Sequence, residues 1–166
     1  SVKSQNQLGK SDDLDRIALN VYVPEQTITL SDVNTKNLKS KVSQMVSSTG
    51  LSGNSEGGRF IVVPVVNVVS KETSPTAPPM TAVSLEVTLY IGDGYEGIKF
   101  NSTTLSIKGL GASEGKAYND AFNRLNKNMP GFSEFITAGK KKIIEYYNSK
   151  CDFILADAQS SSTPNN

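Results

Sequence analysis

The sequence predicts an α+β domain: an antiparallel sheet of about four strands with helices packed on one face, in the order β-α-β-β-β-α-α. Three observations lead there. Residues 80–91 (MTAVSLEVTLYI) set Val83, Leu85, Val87, Leu89 and Ile91 against Ala82, Ser84, Glu86, Thr88 and Tyr90, the period of a strand with one buried face. Three strand-like segments follow one another with only turn-forming residues between them, so chain neighbours pair antiparallel. Beyond residue 133 the period lengthens, and Ile136, Ile143, Ile144, Tyr147, Cys151, Ile154, Leu155 and Ala158 recur every three or four residues along a long final helix.

The elements follow in order. Residues 1–15 are polar, end in DDLD and read as a flexible lead-in before a single α+β domain spanning 16–158. Residues 16–23 (RIALNVYV) alternate as a strand, which Pro24 ends because it has no N–H to give a ladder. From Ser31 a helical stripe forms through Leu38, Val42, Met45, Val46 and Thr49; Ser31 or Asn34 caps its start and Gly50 supplies its left-handed stop. Residues 51–58 (LSGNSEGG) are a loop by composition. Residues 59–70 (RFIVVPVVNVVS) form an inner strand, with Pro64 predicting a bulge or bend. A proline-rich arm at 71–79, the alternating strand at 80–91 and a glycine turn carry the chain to a last strand at 98–108. Its alternation slips phase between Phe100 and Leu105, which predicts a bulge near 101–104. The next helix carries Ala117, Ala121, Phe122, Leu125 and Met129 on its apolar stripe and breaks at Met129-Pro130-Gly131. Residues 159–166 (QSSSTPNN) read as a disordered tail or linker.

Composition excludes several chemistries. There is no histidine, so histidine-based nucleophilic triads are impossible, and with one cysteine a standard zinc site has no ligand set. Cys151 cannot form an intrachain disulfide and, lying on the apolar stripe, reads as a core residue. The formal net charge is +1, without the basic excess of a nucleic-acid binder, and the lysines at 140–142 and at Lys36, Lys39 and Lys41 read as solvated helix faces. No apolar run reaches the ~18 residues of a membrane span. Asp93 and Glu96 share a turn, but their spacing fits no calcium loop. No set of catalytic residues stands out, so a non-enzyme without cofactor is expected. Ser1 in place of Met reads as a processed or trimmed start, so any leader would lie upstream.

One stretch resembles a chemical motif. Residues 108–116 (KGLGASEGK) follow a strand and open a helix, where phosphate loops sit. A P-loop needs four residues between its first glycine and the Gly-Lys pair; Gly111 leaves three and Gly109 leaves five, and Ala117 stands where a hydroxyl should hold magnesium. A dinucleotide loop belongs in a parallel βαβ unit, whereas these strands read as antiparallel. Gly109, Gly111 and Ser113 are therefore read as a structural hinge, the glycines letting strand and helix approach closely and Ser113 capping the helix. A small-ligand or nucleotide-binding module using the hinge from Gly109 to Gly115 is the alternative reading. For recognition, the candidates are Thr76, Pro78 and Pro79 on the arm and Tyr95 on the glycine turn, since a tyrosine on a loop tip offers contact area at low entropy cost.

The strand ending in Lys-Gly-x-Gly-x-Ser, followed by a helix with spaced alanines (KGLGASEGKAYNDAFNRL), resembles a segment of bacterial cell-envelope accessory domains, those of the flagellar-assembly protein FlgT and of small outer-membrane lipoproteins. The earlier strand, helix and RFIVVPV are similar to the opening of the curli secretion lipoprotein CsgG and the penicillin-binding-protein activator LpoB, where a similar Arg-Phe pair begins the strand after the helix. The resemblance covers most of 16–125; the long last helix is not part of it, and the lipid-bearing N-terminal cysteine is absent from this chain. It implies a non-catalytic envelope or secreted domain, periplasmic or outer-membrane associated. Such a domain binds protein partners or itself, with no active site to carry over and any membrane anchor outside this chain. A structural subunit whose last helix packs on a neighbour is a further possibility.

Overall fold

A computed structural model describes residues 17–51 and 58–162, with side chains as far as Lys150. The lead-in at 1–15, most of the loop at 51–58, the Cys151 side chain and residues 163–166 lie outside the described residues. The elements are β1 (Asn20–Val21), α1 (Asp32–Ser47), β2 (Phe60–Thr73), β3 (Thr81–Asp93), β4 (Ile98–Gly111), α2 (Glu114–Phe122) and α3 (Phe132–Ser162). This is the α+β order that the periodicities predict. The sheet runs β1-β2-β3-β4. β2, β3 and β4 form an antiparallel meander, while β1 pairs parallel with β2 at Asn20↔Ile61 and Val21↔Val62. The parallel pair departs from the uniformly antiparallel expectation for a simple reason. A helix between two strands returns the chain to the end it started from.

One face of the sheet holds the core. Val62, Val66, Val83, Leu85, Val87, Leu89, Ile91, Leu105 and Ile107 meet Leu38 and Val42 of α1, Ala121 and Phe122 of α2, and Phe135 and Ile143 of α3, all buried. Ser31 caps α1, its hydroxyl accepting from the Asn34 N–H at 3.1 Å. Asn34 is itself buried: its amide donates to the Gly115 carbonyl and to Asn119 Oδ1, both at 2.8 Å, tying α1 to the start of α2. An unmade bond at a buried amide would be costly, so this pair fixes how the two helices meet.

Pro64 is accommodated without a break in register, pairing with Leu89 between Val63↔Tyr90 and Val65↔Thr88. Among the described residues no strand flanks β2 on its β1 side beyond Val62, and there Gln26 takes a strand's place: its Nε2 donates to the Pro64 carbonyl at 3.0 Å and its Oε1 accepts the Val66 N–H at 2.8 Å. The backbone of these alternate residues points toward that edge, so the N–H that proline lacks is one the β3 ladder never uses. The irregularity in β2 comes later, at Val69, between the pairs Val68↔Leu85 and Ser70↔Ser84. In β4 the bulge lies at Phe100, just before the predicted 101–104, between the pairs Ile91↔Asn101 and Gly92↔Lys99. It turns both Phe100 and Asn101 toward the helices: Phe100 meets Tyr146 edge-on at 5.3 Å and Asn101 Nδ2 donates to the Phe135 carbonyl at 3.1 Å.

Helix α2 ends at Phe122, seven residues short of the predicted break at Met129. Its apolar stripe persists as burial of Leu125, but Asn126 competes for the backbone, donating to the Arg124 carbonyl and accepting from the Asn128 N–H.

Candidate interaction surfaces

The four residues singled out for recognition do not form one site. Thr76, Pro78 and Pro79 lie in the β2–β3 connection and Tyr95 in the β3–β4 turn, at opposite ends of the thirteen-residue β3. At ~3.4 Å per residue that strand separates them by roughly 40 Å. The arm is closed on itself. The Ser74 N–H donates to the Met80 carbonyl, Met80 N–H donates to the Ser74 hydroxyl, and the Thr76 hydroxyl donates to the Pro78 carbonyl. Thr76, Pro78 and Pro79 are exposed.

The turn at the other end is built around Asp93. Its carboxylate is buried, accepting Arg59 Nε at 2.8 Å on one oxygen and the N–H groups of Tyr95 and Glu96, at 2.8 and 3.1 Å, on the other. Gly97, at φ +67, closes the turn by donating to the Asp93 carbonyl. Burial pushes the Asp93 carboxyl up, but the Arg59 hydrogen bond and the two backbone donors together hold it below the usual carboxylate range. Glu96 adds a second layer. It accepts from Lys150 and from the Tyr146 hydroxyl, both on α3, and from Arg59 Nη2 at 3.2 Å, and these partners, Lys150 first, lower its pKa. Phe60, Phe100, Tyr146 and Tyr147 pack beneath, Phe60 meeting Tyr147 edge-on at 5.4 Å, with the Arg59 guanidinium 5.7 Å from the Tyr147 ring. The turn, the start of β2 and α3 are thereby fastened together. From this platform Tyr95 presents a side chain in a residue that is 69 % exposed. Asp93 and Glu96 thus belong to an ion-pair network, which spacing in the turn alone does not reveal. The signal available in sequence is an arginine opening the strand that the hairpin must pair with.

The hinge behaves as a packing device. A Cβ on Gly109 would stand 2.5 Å from the Ala121 nitrogen, and one on Gly111 would stand 2.5 Å from the Ala117 nitrogen. Both glycines are buried beneath α2, and the Ser113 hydroxyl accepts from the Lys116 N–H, occupying one of the donors a phosphate would need. Glu114 stabilises the same end of α2. It accepts the Tyr118 hydroxyl at 2.6 Å and pairs with Lys71 of β2 at 3.3 Å. Burial first, and then this bond to Glu114, push the Tyr118 pKa up to about 12.

Among the described residues, no cluster of three or more His, Cys, Asp or Glu could hold a metal ion, and no helix is long and apolar enough to cross a membrane. No family model and no curated protein matches the chain. Among solved structures it is similar to a minor lipoprotein from Acinetobacter baumannii, at 12% identity and TM-score 0.39 over 81% of this chain and 94% of that one. It is similar to the PelC dodecamer from Paraburkholderia phytofirmans, at 13% identity and TM-score 0.43 over 68% of this chain and 87% of that one. It is also similar to a protein of the DUF330 family from Xanthomonas campestris, at 14% identity and TM-score 0.37 over 84% of this chain and 82% of that one. Bacterial lipoproteins are thus among the structures it is similar to, but at these TM-scores the likenesses assign neither a family nor an activity, and FlgT, CsgG and LpoB remain resemblances of sequence.

Proposed function

We propose that this chain is a non-catalytic protein-interaction domain of the bacterial envelope or of a secreted protein, which binds a partner or a second copy of itself through the β3–β4 turn. The observation that carries the reading is the exposed Tyr95 on a turn held by Asp93, Arg59 and Glu96. A rigid aromatic anchor loses little entropy when it is covered, which is what an interface hot spot requires. The envelope location rests on the likeness of KGLGASEGK and RFIVVPV to envelope accessory domains. Nothing in the geometry of Gly109 and Gly111 favours the nucleotide-binding alternative.

Size-exclusion chromatography with light scattering, with chemical crosslinking in envelope extract, tests the proposal. Self-association or one reproducible crosslinked partner, lost on Tyr95→Ala while the melting temperature holds, supports it. A strict monomer with no crosslinked partner, or association unchanged in Tyr95→Ala, counts against it. Thermal-shift screening with nucleotides decides the alternative, because a ligand that binds the folded state must raise stability.

A further inference from the structure

β4 is the last strand of the sheet, and among the described residues no strand pairs with its outer side. Which of its residues bond outward follows from β2. Pro64 and Val66 face Gln26, so Val63 and Val65 bond to β3; Leu89 and Val87 then turn toward β4 and pair with Thr103 and Leu105. The alternate residues Ser102, Thr104, Ser106 and Lys108 therefore aim their N–H and C=O groups away from the sheet. Leu110, next in that series, has the same direction: its N–H donates to Asp120 Oδ2 of α2 at 2.9 Å. Asp120 closes the edge at that end, and the bulge at Phe100 interrupts it at the other. In between, residues 102, 104, 106 and 108 make no backbone bond on the outer side among the described residues, and all four are exposed. The open stretch is roughly 20 Å long, at ~3.4 Å per residue. Exposed edges are commonly blunted by proline or charge, yet residues 101–107 (NSTTLSI) carry neither, and Lys108 alone marks the end of the run.

We propose that this edge pairs antiparallel with the same edge of a second copy of the chain, joining two four-stranded sheets across a two-fold axis. The choice of a second copy rests on self-complementarity. With the axis at Leu105, Ser102 stands opposite Lys108 of the second copy and Thr104 opposite its Ser106, and every free N–H and C=O of these residues gains a partner. Hydroxyls meet hydroxyls, and Lys108 meets a serine rather than another lysine. An uncharged, proline-free strand is the kind that pairs with itself, and a net charge of +1 leaves little repulsion between copies. The two Tyr95 turns lie at opposite ends of the joined strands, so this surface is separate from the one proposed for Tyr95.

Analytical ultracentrifugation of the whole chain up to about 1 mM, with amide exchange, tests this. A dimer is expected, exchange at Ser102, Thr104, Ser106 and Lys108 slowing as it forms, and Tyr95→Ala changing neither result. Thr104→Lys/Ser106→Lys and Thr104→Glu/Ser106→Glu each set like charges opposite one another, so each is expected to dimerise about tenfold more weakly or worse, while a mixture of the two recovers the dimer. Ser106→Pro is expected to weaken the dimer similarly and to keep the parent's melting temperature, because the N–H it removes, like the one Pro64 lacks, serves no ladder within the chain. A parent that stays monomeric overturns the proposal, whether its edge amides exchange fast or slowly. So does a dimer that the edge variants leave intact, a mixture of the lysine and glutamate variants that does not recover, or a dimer lost in Tyr95→Ala, which would assign self-association to the turn.

Discussion

At the scale of single residues, the decisive question is what a side chain would hit if it moved or grew. Gly109 faces backbone: a Cβ there would stand 2.5 Å from the Ala121 nitrogen and 2.8 Å from its Cβ, and neither can retreat without lifting α2 off the sheet. Gly109→Ala is therefore expected to cost about 3 kcal/mol, read as a drop of roughly 6–12 °C in melting temperature for a domain of this size. Gly139, inside α3, offers the opposite case. Its added Cβ would meet Cδ1 of Ile91, the far end of a flexible side chain. Alanine also gains about 1 kcal/mol of helix propensity there. Gly139→Ala alone should be near neutral, and combining it with Ile91→Val, which removes the clashing carbon, should show favourable coupling in a double-mutant cycle. Asp93 adds a pH signature. Its folded-state pKa lies below the unfolded value of about 4, so the folded chain binds fewer protons. The stability it contributes is complete above that value and is lost as pH falls through and below it. Melting temperatures measured from neutral to acid pH should fall less steeply below about pH 4 in Asp93→Asn than in the parent. Parallel curves would show that the carboxylate does not carry the effect.

At the scale of elements, a strand's neighbours matter as much as its composition. The alternation at 80–91 fixed both the face and the extent of β3, because Val83, Leu85, Val87, Leu89 and Ile91 fall on one side whatever pairs beside them. The valines of 59–70 predict an inner strand, and Pro64 then predicts a bulge or bend. What sequence could not show was that a glutamine thirty-eight residues earlier would lie along the edge and bond around the proline. That contact depends on a β1–α1–β2 crossover whose geometry is non-local. The phase slip around 101–104 was legible, and its purpose was not: aiming both Phe100 and Asn101 at α3 requires knowing where α3 lies. Likewise the ion pairs of Asp93 and Glu96 join residues from three elements, and no local spacing encodes them. Gln26 gives the test at this scale. Gln26→Ala removes both edge bonds, to Pro64 and Val66, and is expected to destabilise the fold by about 1–2 kcal/mol in chemical denaturation. It should also raise amide exchange at Val66, whose N–H it leaves without that acceptor, before exchange rises at Val87 in the middle of the sheet.

At the scale of the whole molecule, the open question is how much of α3 the domain needs. The helix is latched to the β3–β4 turn by Tyr146 and Lys150 through Glu96, and Ile143 and Tyr147 pack on the core just before that point. The Lys150–Glu96 pair is exposed at both side chains, and pairs of that kind contribute little, about 0–1 kcal/mol. The packing is another matter. Burying Ile143 completely contributes roughly 2 kcal/mol, and the edge-on ring pairs Phe60–Tyr147 and Phe100–Tyr146 add about 1 kcal/mol each. That total, about 4 kcal/mol, is a large share of the ~5–15 kcal/mol that holds a domain of this kind folded. We therefore propose 16–158 as the folding unit, and a truncation series measured by calorimetry distinguishes its parts. A chain of residues 16–158 should melt within about 2 °C of the full chain. In that chain Lys150→Ala, which removes the ion pair, should lower the transition only slightly, by no more than about 4 °C. Ending it at 142, before Ile143 and both tyrosines, should lower it by about 8–16 °C or abolish cooperative unfolding. If the chain ending at 142 melts like the full chain, the part of α3 beyond 142 adds nothing to the core, and the rigid platform argued for Tyr95 fails with it.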